Sequence, residues 1–132
     1  RAECSETEPP RVVLPTGSTP LGIAAYTGDE IDALSGSLLL ALAGSNGRVE
    51  LRGYALAAAR PDESDAVTVL MPAVGADSPF ASLTTDELNY RTVGFYPARV
   101  YGVAVHPRLG WVYMSLSGGR ILAIRPQSEV VY

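Results

Sequence analysis

An internal repeat restricts the possible folds of this chain more than any other feature of its 132 residues. The segment LGIAAY at 21–26 corresponds to YGVAVH at 101–106, and GSLLLALAGSNGR at 36–48 corresponds to GWVYMSLSGGR at 110–120. In each unit a strand-like run, a glycine turn, a second run, a small-residue turn and an arginine follow in the same order. Tandem four-stranded meanders of this kind are the sequence signature of a β-propeller.

Short runs rich in Val, Leu, Ile and Tyr, bounded by turn residues, predict β-strands along the whole chain. No window has the sustained 3.6-residue periodicity of a helix. A single turn at 84–88, where Thr84 and Glu87 have capping-box spacing, is the most helical structure that we expect. The predicted strands lie near residues 11–14, 21–26, 37–43, 49–57, 66–71, 100–105, 111–116, 120–125 and 129–132.

We therefore predict an all-β chain that forms about two four-stranded antiparallel blades of a β-propeller, with a sandwich or another meander as the alternative. The small residues at 22–25 and 102–105 suit the crowded innermost strand of a blade. Propellers have about four to eight blades, so two blades need further blades from another chain, from missing sequence or from self-association. The predicted divisions are a disordered or extended segment at 1–10, an outer strand at 11–14, a blade at 21–71, an ordered loop at 73–99 and a blade at 100–132.

Charge and hydropathy exclude two classes of partner. The formal net charge is −4, and no cluster of Lys and Arg reverses it locally, so we expect no nucleic acid to bind. No apolar run reaches the roughly 18 residues that span a bilayer, so we expect no membrane span. Cys4 is either a free thiol or a bridge to another chain or to a missing part of the protein. We expect an extracellular or periplasmic location, where such a bridge forms.

Few side chains fit a catalytic or metal-binding pattern. His106 is the single histidine, and we interpret it as a turn residue. The acidic pairs match no calcium loop, and no serine lies in a G-x-S-x-G elbow. The arginines are stronger candidates, because a guanidinium fork binds the carboxylates of a planar ligand bidentately. Arg48, Arg52 and Arg99 fit this role, although Arg48 recurs as Arg120 in the second unit, which also fits a structural contact between blades.

Three stretches resemble the C-terminal region of soluble glucose/sorbosone dehydrogenases, namely PTGSTPLGIAAYTG (15–28), GSLLLALAGSNGRVELRGYAL (36–56) and PARVYGVAVHPRLGWVYMSLSGGRILAI (97–124). The resemblance implies a six-bladed propeller that oxidises an aldose or related sugar with pyrroloquinoline quinone and calcium. It also implies that the catalytic base and the calcium ligands lie outside this chain, which is not catalytic in isolation. The implied cofactor-binding residues are Arg48 first, then Arg52, Ser45 and Thr19.

The chain departs from the family pattern at two turns. Leu116 and Ser117 stand where the family has a pair of aspartates, and the turn that ends at Arg48 is shortened to Ser-Asn-Gly-Arg. These departures, together with the absent base, favour the alternative function, a non-catalytic β-propeller that binds a protein or a glycan.

Overall fold

The computed structural model describes residues 3–14, 16–45, 54–62, 67–71 and 98–127. Across these ranges the chain contains short 3₁₀ turns but no α-helix, and it forms two antiparallel sheets, neither of them closed into a barrel. No helix in the described part is long and apolar enough to cross a membrane. The prediction of an all-β chain is confirmed.

Each sheet is a meander in which strands that follow one another in the chain are hydrogen-bonded neighbours. Sheet I consists of β1 (Pro20–Ala25), β2 (Leu38–Leu42), β3 (Ala55–Ala59) and β4 (Val67–Met71). Sheet II consists of β5 (Val100–Val105), β6 (Val112–Leu116) and β7 (Arg120–Ile124). The strand predicted at 129–132, the turn predicted at 84–88 and most of the loop predicted at 73–99 lie outside the described residues.

The N-terminal segment differs from its prediction. Residues 11–14 belong to neither sheet, so the outer strand predicted there is wrong. Val12 and Leu14 instead pack against the apolar side chains of sheet I that face away from sheet II. Prolines flank the segment on both sides, and they have no N–H to give to a ladder. Cys4, the free cysteine, is exposed in a 3₁₀ turn at Cys4–Glu6.

The internal repeat extends to the hydrogen bonds that close each hairpin. Three main-chain hydrogen bonds around β1 and β2 recur around β5 and β6 between residues at equivalent positions. This correspondence makes Thr19 equivalent to Arg99 and Tyr26 equivalent to His106. In sheet I, Ala43 N donates to Thr19 O (3.0 Å), Tyr26 N to Ser37 O (2.9 Å) and Gly36 N to Tyr26 O (3.0 Å). The equivalent bonds of sheet II, in the same order, are Ser117 N to Arg99 O (2.9 Å), His106 N to Trp111 O (2.8 Å) and Gly110 N to His106 O (3.1 Å).

The two sheets pack face to face, and their first strands make the closest approach. A Cβ atom placed on Gly22 would lie 3.0 Å from the Cα of Gly102 and 3.2 Å from the N of Val103. The absence of a side chain at Gly22 is therefore what lets the β1 and β5 backbones meet. The core between the sheets is formed by Leu39, Ala41 and Leu56 of sheet I with Val100, Val112, Met114 and Leu116 of sheet II.

Candidate functional site

Arg99 joins the two sheets at the end of sheet I where β1 begins and β2 ends. It directly precedes β5, and its guanidinium donates hydrogen bonds to three main-chain carbonyls of sheet I. Nη1 lies 2.9 Å from the oxygen of Ala43 and 3.1 Å from that of Gly44, and Nη2 lies 2.9 Å from that of Ser45. The guanidinium carbon also lies 4.6 Å from the ring centre of Tyr54, a cation–π contact. We call this group of five residues the Arg99 junction.

The Arg99 junction fixes both ends of the segment that carries the predicted cofactor ligands. Residues 46–53 connect Ser45 to Tyr54, and both of those residues contact Arg99. Arg48 and Arg52 belong to this segment and lie outside the described residues, so their role stays a prediction. The sequence made Arg99 a candidate for ligand binding as well. In the structure its guanidinium instead donates hydrogen bonds to main-chain carbonyls of sheet I.

The two other predicted cofactor ligands, Thr19 and Ser45, lie at this same end of sheet I. Thr19 accepts the Ala43 N–H hydrogen bond at its carbonyl, and Ser45 is buried with 3% of its surface exposed. Thr19 and Tyr54 have φ angles of 49° and 53°, a left-handed conformation that non-glycine residues adopt at a cost of about 1–2 kcal/mol each. Such conformations concentrate at binding and catalytic sites, which makes this end of sheet I the strongest candidate site in the described part of the chain.

Tyr26 joins the sheets at the opposite end. Its side chain is fully buried, and its hydroxyl donates to the carbonyl of Gly110 in sheet II (2.8 Å) and accepts the N–H of Ile31 (3.1 Å). Burial raises the pKa of Tyr26 above its ordinary value of 10.0; the hydrogen bond from Ile31 lowers it, and the negative charges of Glu30 and Asp29 raise it. The phenol is therefore held in its protonated form, which is the form that donates to sheet II.

We expect Tyr26→Phe to lower the free energy of unfolding by about 1–3 kcal/mol, because the buried carbonyl of Gly110 and the N–H of Ile31 both lose their partner. Denaturant unfolding followed by circular dichroism measures this loss. Tyr101→Phe is the matched control, since Tyr101 is 43% exposed. Equal stability of the two variants would contradict the role of the hydroxyl.

The raised pKa of Tyr26 also predicts a pH dependence. The unfolded chain releases this proton near pH 10, whereas the folded chain retains it to higher pH, so stability falls as the pH rises above about 10. Tyr26→Phe should have a shallower loss of stability between about pH 9 and about pH 11 than the parent chain. The same slope in both proteins would assign the alkaline loss to other groups.

His106, the repeat equivalent of Tyr26, has a local role. Its Nδ1 accepts hydrogen bonds from the main-chain N–H groups of Arg108 (3.2 Å) and Leu109 (3.1 Å), which closes the turn between β5 and β6. The structure therefore agrees with its interpretation as a turn residue. Arg120 pairs with Leu116 as Ala55 pairs with Leu42, so the register makes Arg120 the equivalent of Ala55 rather than of Arg48, as the repeat in the sequence had suggested. It is exposed at the first position of β7.

Sequence reasoning identified Thr19, Ser45 and Arg99 but missed Tyr26 and Tyr54. The signal for Tyr26 was present in the repeat, where a large polar side chain follows the innermost strand in both units. Within the described ranges, no group of three or more His, Cys, Asp or Glu residues could hold a metal ion. No protein-family model, no curated protein and no solved structure matches this chain.

Proposed function

We propose that this chain supplies two neighbouring blades of a β-propeller sugar dehydrogenase that uses pyrroloquinoline quinone and calcium. The observation that carries the proposal is the Arg99 junction, which holds Ser45 and Tyr54, the two residues that flank the segment to which Arg48 and Arg52 belong. Ligand-binding loops held by a rigid sheet scaffold are the usual way in which propellers and similar folds build sites.

The residue types at this end of sheet I suit the carboxylates of the quinone. Arginine forks bind carboxylates through paired charged hydrogen bonds. The exposed Thr19 hydroxyl makes only a long hydrogen bond of 3.5 Å to the Gly17 carbonyl and would add a neutral donor, whereas Ser45, which is 3% exposed, would contribute mainly by shaping the site. Bound here, the quinone would supply the hydride acceptor for the C1 position of the sugar. The part assigned to this chain is to bind and orient that cofactor.

The remaining parts of the enzyme are assigned to other blades. These blades would supply the catalytic base, the calcium ligands and the rest of the ring, and an extracellular or periplasmic location would allow Cys4 to form a disulfide with them. On this proposal the 132-residue chain has no dehydrogenase activity when it is alone.

The test uses the full-length protein that contains this chain, loaded with pyrroloquinoline quinone and calcium. We expect quinone binding, followed by its absorbance, and reduction of an artificial dye with aldoses. Arg48→Ala should weaken quinone binding by about 10- to 100-fold, the loss of a hydrogen bond to a charged group. The control Arg120→Ala removes an exposed arginine from the other sheet and should leave binding unchanged. A full-length protein that neither binds the quinone nor reduces the dye would contradict the proposal.

The alternative is a non-catalytic propeller that binds a protein or a glycan, and Leu116 favours it. This side chain, which stands where the related family has an aspartate, is 5% exposed and belongs to the core between the sheets. A core position cannot present a carboxylate to a ligand without burying an unpaired charge. Glycan binding by a full-length protein that does not bind the quinone would support this alternative.

A further inference from the structure

The turn between β5 and β6, residues 106–110, has the sequence His-Pro-Arg-Leu-Gly and contains the single histidine of the chain. The main chain closes this turn with a bond from the N–H of Gly110 to the carbonyl of His106 (3.1 Å). Two further bonds end on the histidine side chain, whose Nδ1 accepts the N–H groups of Arg108 (3.2 Å) and Leu109 (3.1 Å). The closed form of the turn therefore depends on one ring nitrogen that accepts two hydrogen bonds.

The protonation state of His106 decides whether these two bonds can form. A ring nitrogen accepts a hydrogen bond only while it carries no hydrogen, so the neutral imidazole must hold its hydrogen on Nε2. When the ring takes up a proton, Nδ1 becomes a donor that faces two N–H donors, and both bonds are lost. An imidazole in solution takes up this proton at about pH 6.5. Solvent reaches the turn, because residues 107–109 are exposed.

The same turn carries the acceptor of the Tyr26 contact between the sheets. The Tyr26 hydroxyl donates to the carbonyl of Gly110 (2.8 Å) and accepts the N–H of Ile31 (3.1 Å). Gly110 is buried with a φ of 64°, and a Cβ atom there would lie 2.6 Å from the Tyr26 hydroxyl oxygen. The Gly110 carbonyl can therefore meet this hydroxyl only while the turn keeps its closed form.

Several other charged or titratable side chains surround the turn, but in the described part of the chain the N–H groups of Arg108 and Leu109 donate to Nδ1 and to none of them. The carboxylate of Glu30 is the nearest to Gly110, since a Cβ atom there would lie 2.6 Å from its Oε2. These side chains are Tyr26, Asp29, Glu30 and Asp32 from the segment after β1, Arg108 from the turn itself, and Arg125 after β7.

We propose that the 106–110 turn is a pH-sensitive contact between the two sheets. Neutral His106 closes the turn and presents the Gly110 carbonyl to Tyr26, whereas protonated His106 opens the turn and withdraws that carbonyl. The unfolded chain takes up the same proton without losing a hydrogen bond, so the folded form loses stability as the pH falls through about 6.5. The inference is independent of the proposed quinone site, which lies at the opposite end of the sheets.

Nuclear magnetic resonance of the 132-residue chain tests the proposal, and the ring signals belong to His106 because the chain has no other histidine. At about pH 7.5 we expect the ring hydrogen on Nε2 and none on Nδ1. Between about pH 7.5 and about pH 5.5, the exchange protection of the Leu109 and Ile31 amides should fall about tenfold relative to the intrinsic rate at each pH. Ile31 reports on sheet I, because its N–H is bonded to the Tyr26 hydroxyl.

Two variants separate the histidine from the neighbouring carboxylate. His106→Asn supplies a side-chain oxygen that accepts main-chain N–H groups two residues ahead but does not titrate, so both amides should keep their protection at both pH values. Glu30→Gln removes the charge beside Gly110 and leaves the histidine in place. This control should lose protection on acidification as the parent chain does.

Four results would overturn the proposal. The first is a hydrogen on Nδ1 of His106 at about pH 7.5, since that nitrogen could then not accept. The second is an equal loss of protection in His106→Asn and the parent chain. The third is a loss that disappears in Glu30→Gln, which would assign the effect to the carboxylate. The fourth is protection of the Ile31 amide that does not change in the parent chain, because the turn would then act without Tyr26.

Discussion

Replacing Arg99 with alanine is expected to lower the free energy of unfolding by about 2–4 kcal/mol, because three carbonyls of sheet I lose a charged donor and Tyr54 loses its cation–π partner. These bonds connect the two sheets, so the loss falls on the contact between them. Denaturant unfolding of the parent chain and the variant measures it. Arg99→Lys should lie between the two, since an ammonium group lacks the planar fork that reaches all three acceptors.

Arg120→Ala is the matched control for Arg99→Ala. It removes the same side chain from an exposed position at the start of β7, where we expect a change within about 0.5 kcal/mol. If Arg99→Ala were no more destabilising than this control, the Arg99 junction would contribute nothing measurable to the packing of the sheets.

Replacing Gly22 with valine is expected to cost about 3 kcal/mol, the upper end for an overpacked core. The new Cβ would meet backbone atoms of β5, namely the Cα of Gly102 and the N of Val103, and backbone atoms cannot move aside as a flexible side chain can. The sheets must therefore separate. The variant should show a lower unfolding midpoint, and amide hydrogens of β1 and β5 should exchange faster.

Gly28→Val tests whether this loss reflects the close approach of the two strands or the removal of a glycine in general. The nearest atoms to a Cβ at Gly28 belong to the end of the Glu30 side chain, which can rotate away. We expect a much smaller loss of stability than for Gly22→Val. Equal losses for the two variants would contradict the interpretation that β1 and β5 are in contact at Gly22.

Most strands could be predicted from the sequence because their signals are local. The predicted strand at 100–105 coincides with β5, and the boundaries of β1, β2, β6 and β7 agree within one residue. Of the strand predicted at 49–57, residues 49–53 lie outside the described part of the chain, and β3 runs from Ala55 to Ala59. Tyr54 precedes it with a φ of 53°, which no strand residue adopts, and the alternating pattern around it does not reveal this.

The candidate site could be predicted only in part, because its contacts are long-range and end on the main chain. Arg99 binds carbonyls that lie 54 to 56 residues away, and Tyr26 binds one that lies 84 residues away. Every residue has a carbonyl, so no side-chain pattern identifies the acceptors. The repeat could place Thr19 beside the end of β2, but only the packing of the sheets shows that Arg99 crosses between them.

The acceptors at the Arg99 junction have a consequence for how proteins of this kind diverge. Ala43 and Ser45 bind Arg99 through their carbonyl oxygens, so substitutions between small side chains that fit these buried positions leave the hydrogen bonds to Arg99 intact. Evolutionary drift at such positions erases sequence similarity while the geometry survives. A search for distant relatives should therefore look for an arginine directly before an innermost strand. The identities of the residues whose carbonyls accept its hydrogen bonds are less informative.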